Sequence, residues 1–127
     1  MKTKYNYPAW VTEEQKQIWD KRIGVQLIEV KSLATPKKTF EALICRPGEI
    51  AVLEAGEKMS QLTGNNIFAS HQILAKFCTL KSPELAAECN LAEGEYGVQH
   101  DIAIGRVIKD SYPVSEVTVK KSLEIAS

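Results

Sequence analysis

Two histidines and three cysteines are the side chains in this sequence whose chemistry first suggests a functional site. Imidazole nitrogens and thiolates are good zinc ligands, and the closest set of them is His71, Cys78, Cys89 and His100. None of the spacings matches Cys-x-x-Cys or His-x-x-x-His, and a seven-residue separation on one helix places His71 about 10.5 Å from Cys78. The sequence therefore predicts no metal site, and core or hydrogen-bonded roles for these residues.

A cysteine nucleophile paired with a histidine base is the second chemical possibility, with Cys45 or Cys78 beside His71 or His100. No glycine-rich turn or other local feature marks either cysteine as activated. His100-Asp101 looks like part of a relay, but adjacent residues on a helix point in different directions, so we expect a solvated polar face there. The prediction is that the chain has no catalytic residue.

Phosphate and calcium motifs are missing, because no glycine-rich phosphate loop and no Asp-x-Asp-x-Asp spacing occurs. No cofactor is therefore predicted. The chain has 16 basic and 16 acidic side chains and a formal net charge of zero, whereas nucleic-acid binders carry a basic patch. The pairs Lys37-Lys38 and Lys120-Lys121 are too short to provide one, so no nucleic-acid partner is expected.

Cellular location is indicated by hydropathy and by cysteine number. No apolar run approaches the ~20 residues that span a bilayer, and no apolar stretch follows the basic N-terminus as in a secretory signal. An odd number of cysteines at long spacings favours reduced thiols over a disulfide framework. We expect a cytoplasmic protein without a membrane partner.

The elements that must position these residues begin with a short helix and two strands. The helix is predicted to begin with a capping box formed by Thr12 and Gln15 and to end at Gly24. Its predicted apolar stripe consists of Ile18, Trp19 and Ile23. Residues 25–31 and 39–45 are rich in β-forming residues and predict an antiparallel hairpin.

Helical spacing dominates the rest of the sequence. Val52, Ala55, Met59 and Leu62 predict one core stripe, and residues 67–80 predict a second core helix. Ser82-Pro83 opens a short helix, and residues 96–109 predict a last one that Gly97 and Gly105 weaken. Residues 114–125 are compatible with either a strand or a helix.

These elements predict an α+β fold, with an N-terminal helix, an antiparallel β-hairpin and a bundle of three to four helices packed on it. One domain is expected over residues 10–125, after an extended N-terminal tail at residues 1–9.

The order of elements resembles that of small proteins encoded among phage or prophage tail genes, the tail assembly chaperones. The local marks of the resemblance are Arg46-Pro47 after the second strand, Cys78 in a core helix and the late pair Lys120-Lys121. The usual Gly-Asp after that core helix is missing near Leu80-Lys81-Ser82. The family shares no catalytic residues, so none is carried over.

The resemblance implies transient binding of tail proteins such as the tape measure, and self-association. Such binding requires exposed apolar surface. The candidate protein-binding residues are Trp10, Leu53, Met59, Leu62, Ile102, Val107 and Ile108. A small thiol-dependent enzyme and a nucleic-acid-binding regulator are the alternative functions.

Overall fold

The computed structural model describes residues 2–60, 66–113 and 117–125 and shows a mixed α+β architecture. Its elements in chain order are α1 (Glu13–Trp19), β1 (Gln26–Lys31), β2 (Thr39–Ile44), α2 (Glu49–Ser60), α3 (Asn66–Cys78), β3 (Thr79–Lys81), α4 (Pro83–Glu88), a 3₁₀ turn (Ala92–Gly94) and α5 (Glu95–Ser111). The predicted fold class is confirmed. Within the described residues, no helix is long and apolar enough to cross a membrane.

Helix α1 begins with the predicted capping box. The Gln15 amide donates to Thr12 Oγ1 at 3.2 Å, and the Thr12 amide donates back to Gln15 Oε1 at 2.9 Å. The helix is shorter than its apolar pattern, and only Trp19 of the predicted stripe is buried, while Ile18 and Ile23 are exposed. Gly24 follows in the left-handed conformation, with φ at +67°.

The sheet has three antiparallel strands in the order β1-β2-β3. Val30 pairs with Phe40 in the predicted hairpin, and Ile44 pairs with Thr79 on the other side of β2. Strand β3 corrects the prediction of one continuous helix over residues 67–80. Residues 79–81 leave the helical path because their backbone groups bond to β2 instead.

Helices α2, α3 and α5 pack side by side, with α3 between the other two, and α4 contacts β2. Ile44, Leu85 and Ile108 are among the most deeply buried side chains of the core. Tyr112, just after α5, donates its hydroxyl hydrogen to the Gly24 carbonyl and so joins the last helix to the start of β1.

Helix α2 differs from its predicted orientation. Ala55 of the predicted core stripe is buried as expected, and Ala51 is buried beside it, but Val52 and Met59 of the same stripe are exposed. The small side chains face inward because α2 lies directly against α3. The last residue of that stripe, Leu62, lies outside the described residues.

The N-terminal segment is anchored to the domain by its polar groups. The Tyr5 hydroxyl donates to the Arg22 carbonyl, and the Tyr7 hydroxyl donates to Asp20 Oδ1, each at 2.6 Å. At the other end, residues 117–125 form no helix or strand and are exposed. Residues 114–116 of the ambiguous C-terminal segment lie outside the described part of the chain.

Candidate functional site

The outer surface of α2 carries large apolar side chains in water. Ile50 and Leu53 are each 64% exposed, Val52 is 48% exposed and Met59 is 43% exposed. Ile50 and Leu53 are three residues apart and share the side of the helix opposite Ala51 and Ala55. We call these four exposed side chains the α2 surface.

This arrangement is the reverse of an ordinary amphipathic helix, which buries its largest apolar residues. Because each of these side chains is only about half exposed, it forgoes roughly half of the about 1.5–3 kcal/mol that burying a fully exposed aliphatic side chain provides. Near the start of α3, Ile67 and Phe68 are also about half exposed. Exposed large apolar side chains that neighbour each other on a helix, as Ile50 and Leu53 do, are a feature of protein interfaces.

The remaining predicted protein-binding residues fall in different environments. Trp10 is half-buried against the core, and its indole nitrogen donates to Glu41 Oε1 at 3.0 Å, so it docks on its own domain. On α5, Val107 is exposed and Ile102 is half-buried, whereas Ile108 is fully buried and offers no surface to a partner. The structure therefore does not gather the six described residues of this set into one surface.

Two of the three cysteines meet at the junction of β2 and β3. Cys45 directly follows β2 and Cys78 directly precedes β3, and the Cys45 amide donates to the Cys78 carbonyl at 3.1 Å. Their side chains are close enough that each cysteine shifts the pKa of the other. Both cysteines are unbonded thiols lining an open cavity of about 500 Å³ with Arg22, Pro47 and Ile50.

Arg22 supplies the positive charge of this cluster. One guanidinium nitrogen donates to Cys45 Sγ at 3.4 Å and to the Phe77 carbonyl at 2.7 Å, and the guanidinium lies 4.5 Å from the centre of the Trp19 ring. The hydrogen bond from Cys78, helped by the hydrogen bond and charge of Arg22, lowers the pKa of Cys45 despite burial. The same hydrogen bond and burial raise the pKa of Cys78. The Arg22 contact therefore favours the thiolate form at Cys45 rather than at Cys78.

The sequence contains little sign of this cluster. The predicted partners of the cysteines were His71 and His100, and neither belongs to it. Arg22 was overlooked because it lies in the connection after α1, 23 residues before Cys45. The feature that places the two cysteines together is that β2 ends just before Cys45 and β3 begins just after Cys78.

A second buried polar cluster is centred on Glu88. Its carboxylate accepts from the Ser32 hydroxyl and lies 2.6 Å from His100 Nε2. The amides of Leu33 and Ala34 donate to it at 3.2 and 3.3 Å. Burial raises the pKa of Glu88, but these hydrogen bonds outweigh it and lower the pKa to about 2.

The Glu88 cluster corrects the predicted solvated face at His100-Asp101. His100 is buried because Glu88 of α4 provides its partner, whereas Asp101 forms an ion pair with Lys81 at 2.7 Å. The carboxylate lies between the serine and the histidine, so the histidine does not contact the hydroxyl as a general base must. The cluster ties the β1–β2 connection to α4 and α5.

His71 lies in a third environment, between α3 and α5. It is buried and lines a cavity with Phe68 and Arg106, and its Nδ1 has no hydrogen-bond partner among the described residues. Burial, together with the charges of Lys109 and Arg106, lowers the pKa of His71. Among the described residues, no three histidine, cysteine or acidic side chains converge to hold a metal ion.

Comparisons with protein-family models, curated proteins and solved structures find no match to this chain.

Proposed function

We propose that this protein is a non-catalytic, cytoplasmic protein-binding domain that uses the α2 surface to cover an apolar segment of another protein. The observation that carries this proposal is the reversed orientation of α2, with Ile50 and Leu53 in water and Ala51 and Ala55 in the core. Burying exposed aliphatic surface is the main favourable contribution to protein association.

The partner class follows from the resemblance to tail assembly chaperones. We propose that the partner is a phage tail protein such as the tape measure, whose apolar segments need cover before the tube assembles. An exposed apolar helix surface suits a helical apolar segment, which it would bind through side chains repeating every three or four residues. Self-association through the same surface would cover it in the absence of the partner.

Co-expression of the full chain with the tape-measure protein encoded in the same gene cluster tests this proposal. The wild-type chain should keep the tape measure in the soluble fraction and co-purify with it. The double variant Ile50→Gln/Leu53→Gln should fold normally and lose at least roughly tenfold in affinity, since truncating interface anchors commonly costs more than 1 kcal/mol each.

The matched control is Ile18→Gln, which changes a similarly exposed aliphatic residue on a different helix, α1. Its complex should be as stable as that of the wild type. Equal binding by the double variant would overturn the assignment of the surface. A gene neighbourhood without tail-tube or tape-measure genes would overturn the assignment of the partner.

A further inference from the structure

We propose that Cys45 and Cys78 form a reversible redox site, in which a hydroperoxide oxidises Cys45 and Cys78 then closes a disulfide with it. This inference is independent of the proposed binding function. It concerns the junction of β2 and β3 and the cavity above it.

The backbone pairing places the two cysteines directly opposite each other at the end of the β2–β3 ladder. The ladder between β2 and β3 pairs Ile44 with Thr79, and the hydrogen bond from the Cys45 amide to the Cys78 carbonyl extends it by one residue. Directly opposed residues of antiparallel strands have Cα atoms about 4.5–5.5 Å apart, within the roughly 4.4–6.8 Å that disulfides span. Directly opposed side chains of antiparallel strands project from the same side of the sheet, and both thiols line the same cavity.

The two cysteines have different roles because Arg22 contacts only one of them. Its guanidinium donates to Cys45 Sγ, and its other contacts, to the Phe77 carbonyl and the Trp19 ring, hold it in place. An adjacent arginine favours the thiolate, which is the nucleophilic form of cysteine. The interaction with Cys45 and burial raise the pKa of Cys78, so the protonated form is favoured at this second cysteine.

The hydroperoxide is the two-electron oxidant that disulfide formation from two thiols requires. The Cys45 thiolate attacks one peroxide oxygen, the O–O bond breaks, and Cys45 sulfenic acid forms as hydroxide leaves and takes up a proton. The Cys78 sulfur then attacks the sulfenic sulfur, the S–S bond forms, and the Cys78 proton leaves with the hydroxyl group as water. Two thiols and one hydroperoxide thus give one disulfide and two molecules of water when the oxidant is hydrogen peroxide.

The cavity gives a small oxidant access to sulfur atoms that are otherwise covered. It is open to solvent, and both cysteines and Arg22 belong to its lining. Cys89 provides an internal comparison, since it lies beside Lys81 and Asp101, outside this cavity, and burial raises the pKa of its thiol. We expect Cys89 to stay reduced under conditions that oxidise the pair.

Limited oxidation of the full-length protein tests the proposal. The reduced protein is treated with one equivalent of hydrogen peroxide at neutral pH, its remaining thiols are alkylated, and its peptides are analysed by mass spectrometry. We expect a Cys45–Cys78 linkage that dithiothreitol reverses, with Cys89 fully alkylated. Loss of the Cys45 thiol should be roughly tenfold faster than that of Cys89, because an ordinary thiol is only a few per cent ionised at this pH.

Two variants separate the steps. Cys78→Ser should accumulate Cys45 sulfenic acid, trapped by dimedone, and Arg22→Gln should slow oxidation of Cys45 while circular dichroism shows an unchanged fold. Cys89→Ser is the control and should behave as the wild type. Preferential oxidation of Cys89, or oxidation of Cys45 in the wild type without linkage to Cys78, would overturn the proposal, and neither result depends on a variant folding.

Discussion

The buried carboxylate of Glu88 joins segments that are far apart in the sequence. It accepts hydrogen bonds from the β1–β2 connection at Ser32, Leu33 and Ala34 and contacts His100 of α5. A buried charge with this many donors is stabilising only while the donors remain in place, because an unpaired buried charge is very costly. The network therefore couples the conformation of the hairpin connection to the packing of α4 on α5.

Replacing Glu88 by glutamine should lower the free energy of unfolding by about 2–3 kcal/mol at neutral pH, because hydrogen bonds to a charged group are lost and one amide NH₂ meets backbone donors. The control is Glu84→Gln, on the same helix α4 as Glu88. It removes an exposed ion pair with Lys38 and should lower the free energy of unfolding by less than about 0.5 kcal/mol. Urea titrations of the three proteins measure the difference. An equal effect of both substitutions would show that the Glu88 carboxylate contributes no more than a surface charge.

The pH dependence of the same substitution has a definite sign. The pKa of Glu88 is lowered from 4.5 to about 2 in the folded chain, so its contribution is fully present above about pH 4.5 and is lost as the pH falls to about 2. The stability difference between wild type and Glu88→Gln should accordingly shrink over this range. A difference that stays constant down to about pH 2 would contradict the lowered pKa.

Among the elements, α3 and α5 approach each other at a glycine. A methyl group added at Gly105 would lie 1.8 Å from the backbone carbonyl oxygen of His71, so only glycine permits this crossing. The sequence pattern identifies Gly105 as a weak point of the helix, which is correct for an isolated helix. In the folded protein Gly105 is stabilising instead, because the absence of a side chain allows α3 and α5 to come into contact.

Gly105→Ala should therefore destabilise the protein by at least about 3 kcal/mol, since the obstacle is backbone that cannot rotate away. The matched control is Gly56→Ala on α2, where nothing lies within 4 Å of an added methyl group. That change should raise stability by up to about 1 kcal/mol through helix propensity. Thermal unfolding followed by circular dichroism gives both values, and a stabilised Gly105→Ala protein would rule out the close crossing.

Local patterns predicted the capping box of α1, the Ser82 cap of α4, the hairpin and the course of α5, because each depends on neighbouring residues. The predicted stop of α1 at Gly24 was wrong, because the helix already ends at Trp19 with Asp20 as its C-cap. Strand β3 was not predictable in this way, since a three-residue strand is too short to show alternation and continues the apolar run of α3. Its pairing with β2 is a tertiary interaction, and it is what brings Cys78 opposite Cys45. The orientation of α2 was missed because alanine and the larger aliphatics are all apolar, and only packing against α3 decides which of them is buried.

For the molecule as a whole, a formal net charge of zero removes the general repulsion that keeps many proteins apart. The α2 surface adds an apolar contact area, and Val117, Val119, Leu123 and Ile125 are almost fully exposed. Association through such groups is driven by burial of apolar surface, whereas association with nucleic acid is driven by charge. Added salt strengthens association that is driven by burial of apolar surface and weakens association that is driven by charge, so the salt dependence distinguishes the two.

We expect the purified protein to self-associate with increasing concentration, and the association to strengthen in ammonium sulfate because excluded salts favour burial of apolar surface. Ile50→Gln/Leu53→Gln should shift the molecule toward the monomer, with a free energy of unfolding within about 0.5 kcal/mol of the wild type, since both side chains are already exposed. Sedimentation equilibrium over a range of concentrations measures the shift, and Ile18→Gln should leave it unchanged. Association that weakens steeply as salt is added would instead indicate charge pairing and would remove the α2 surface as its cause.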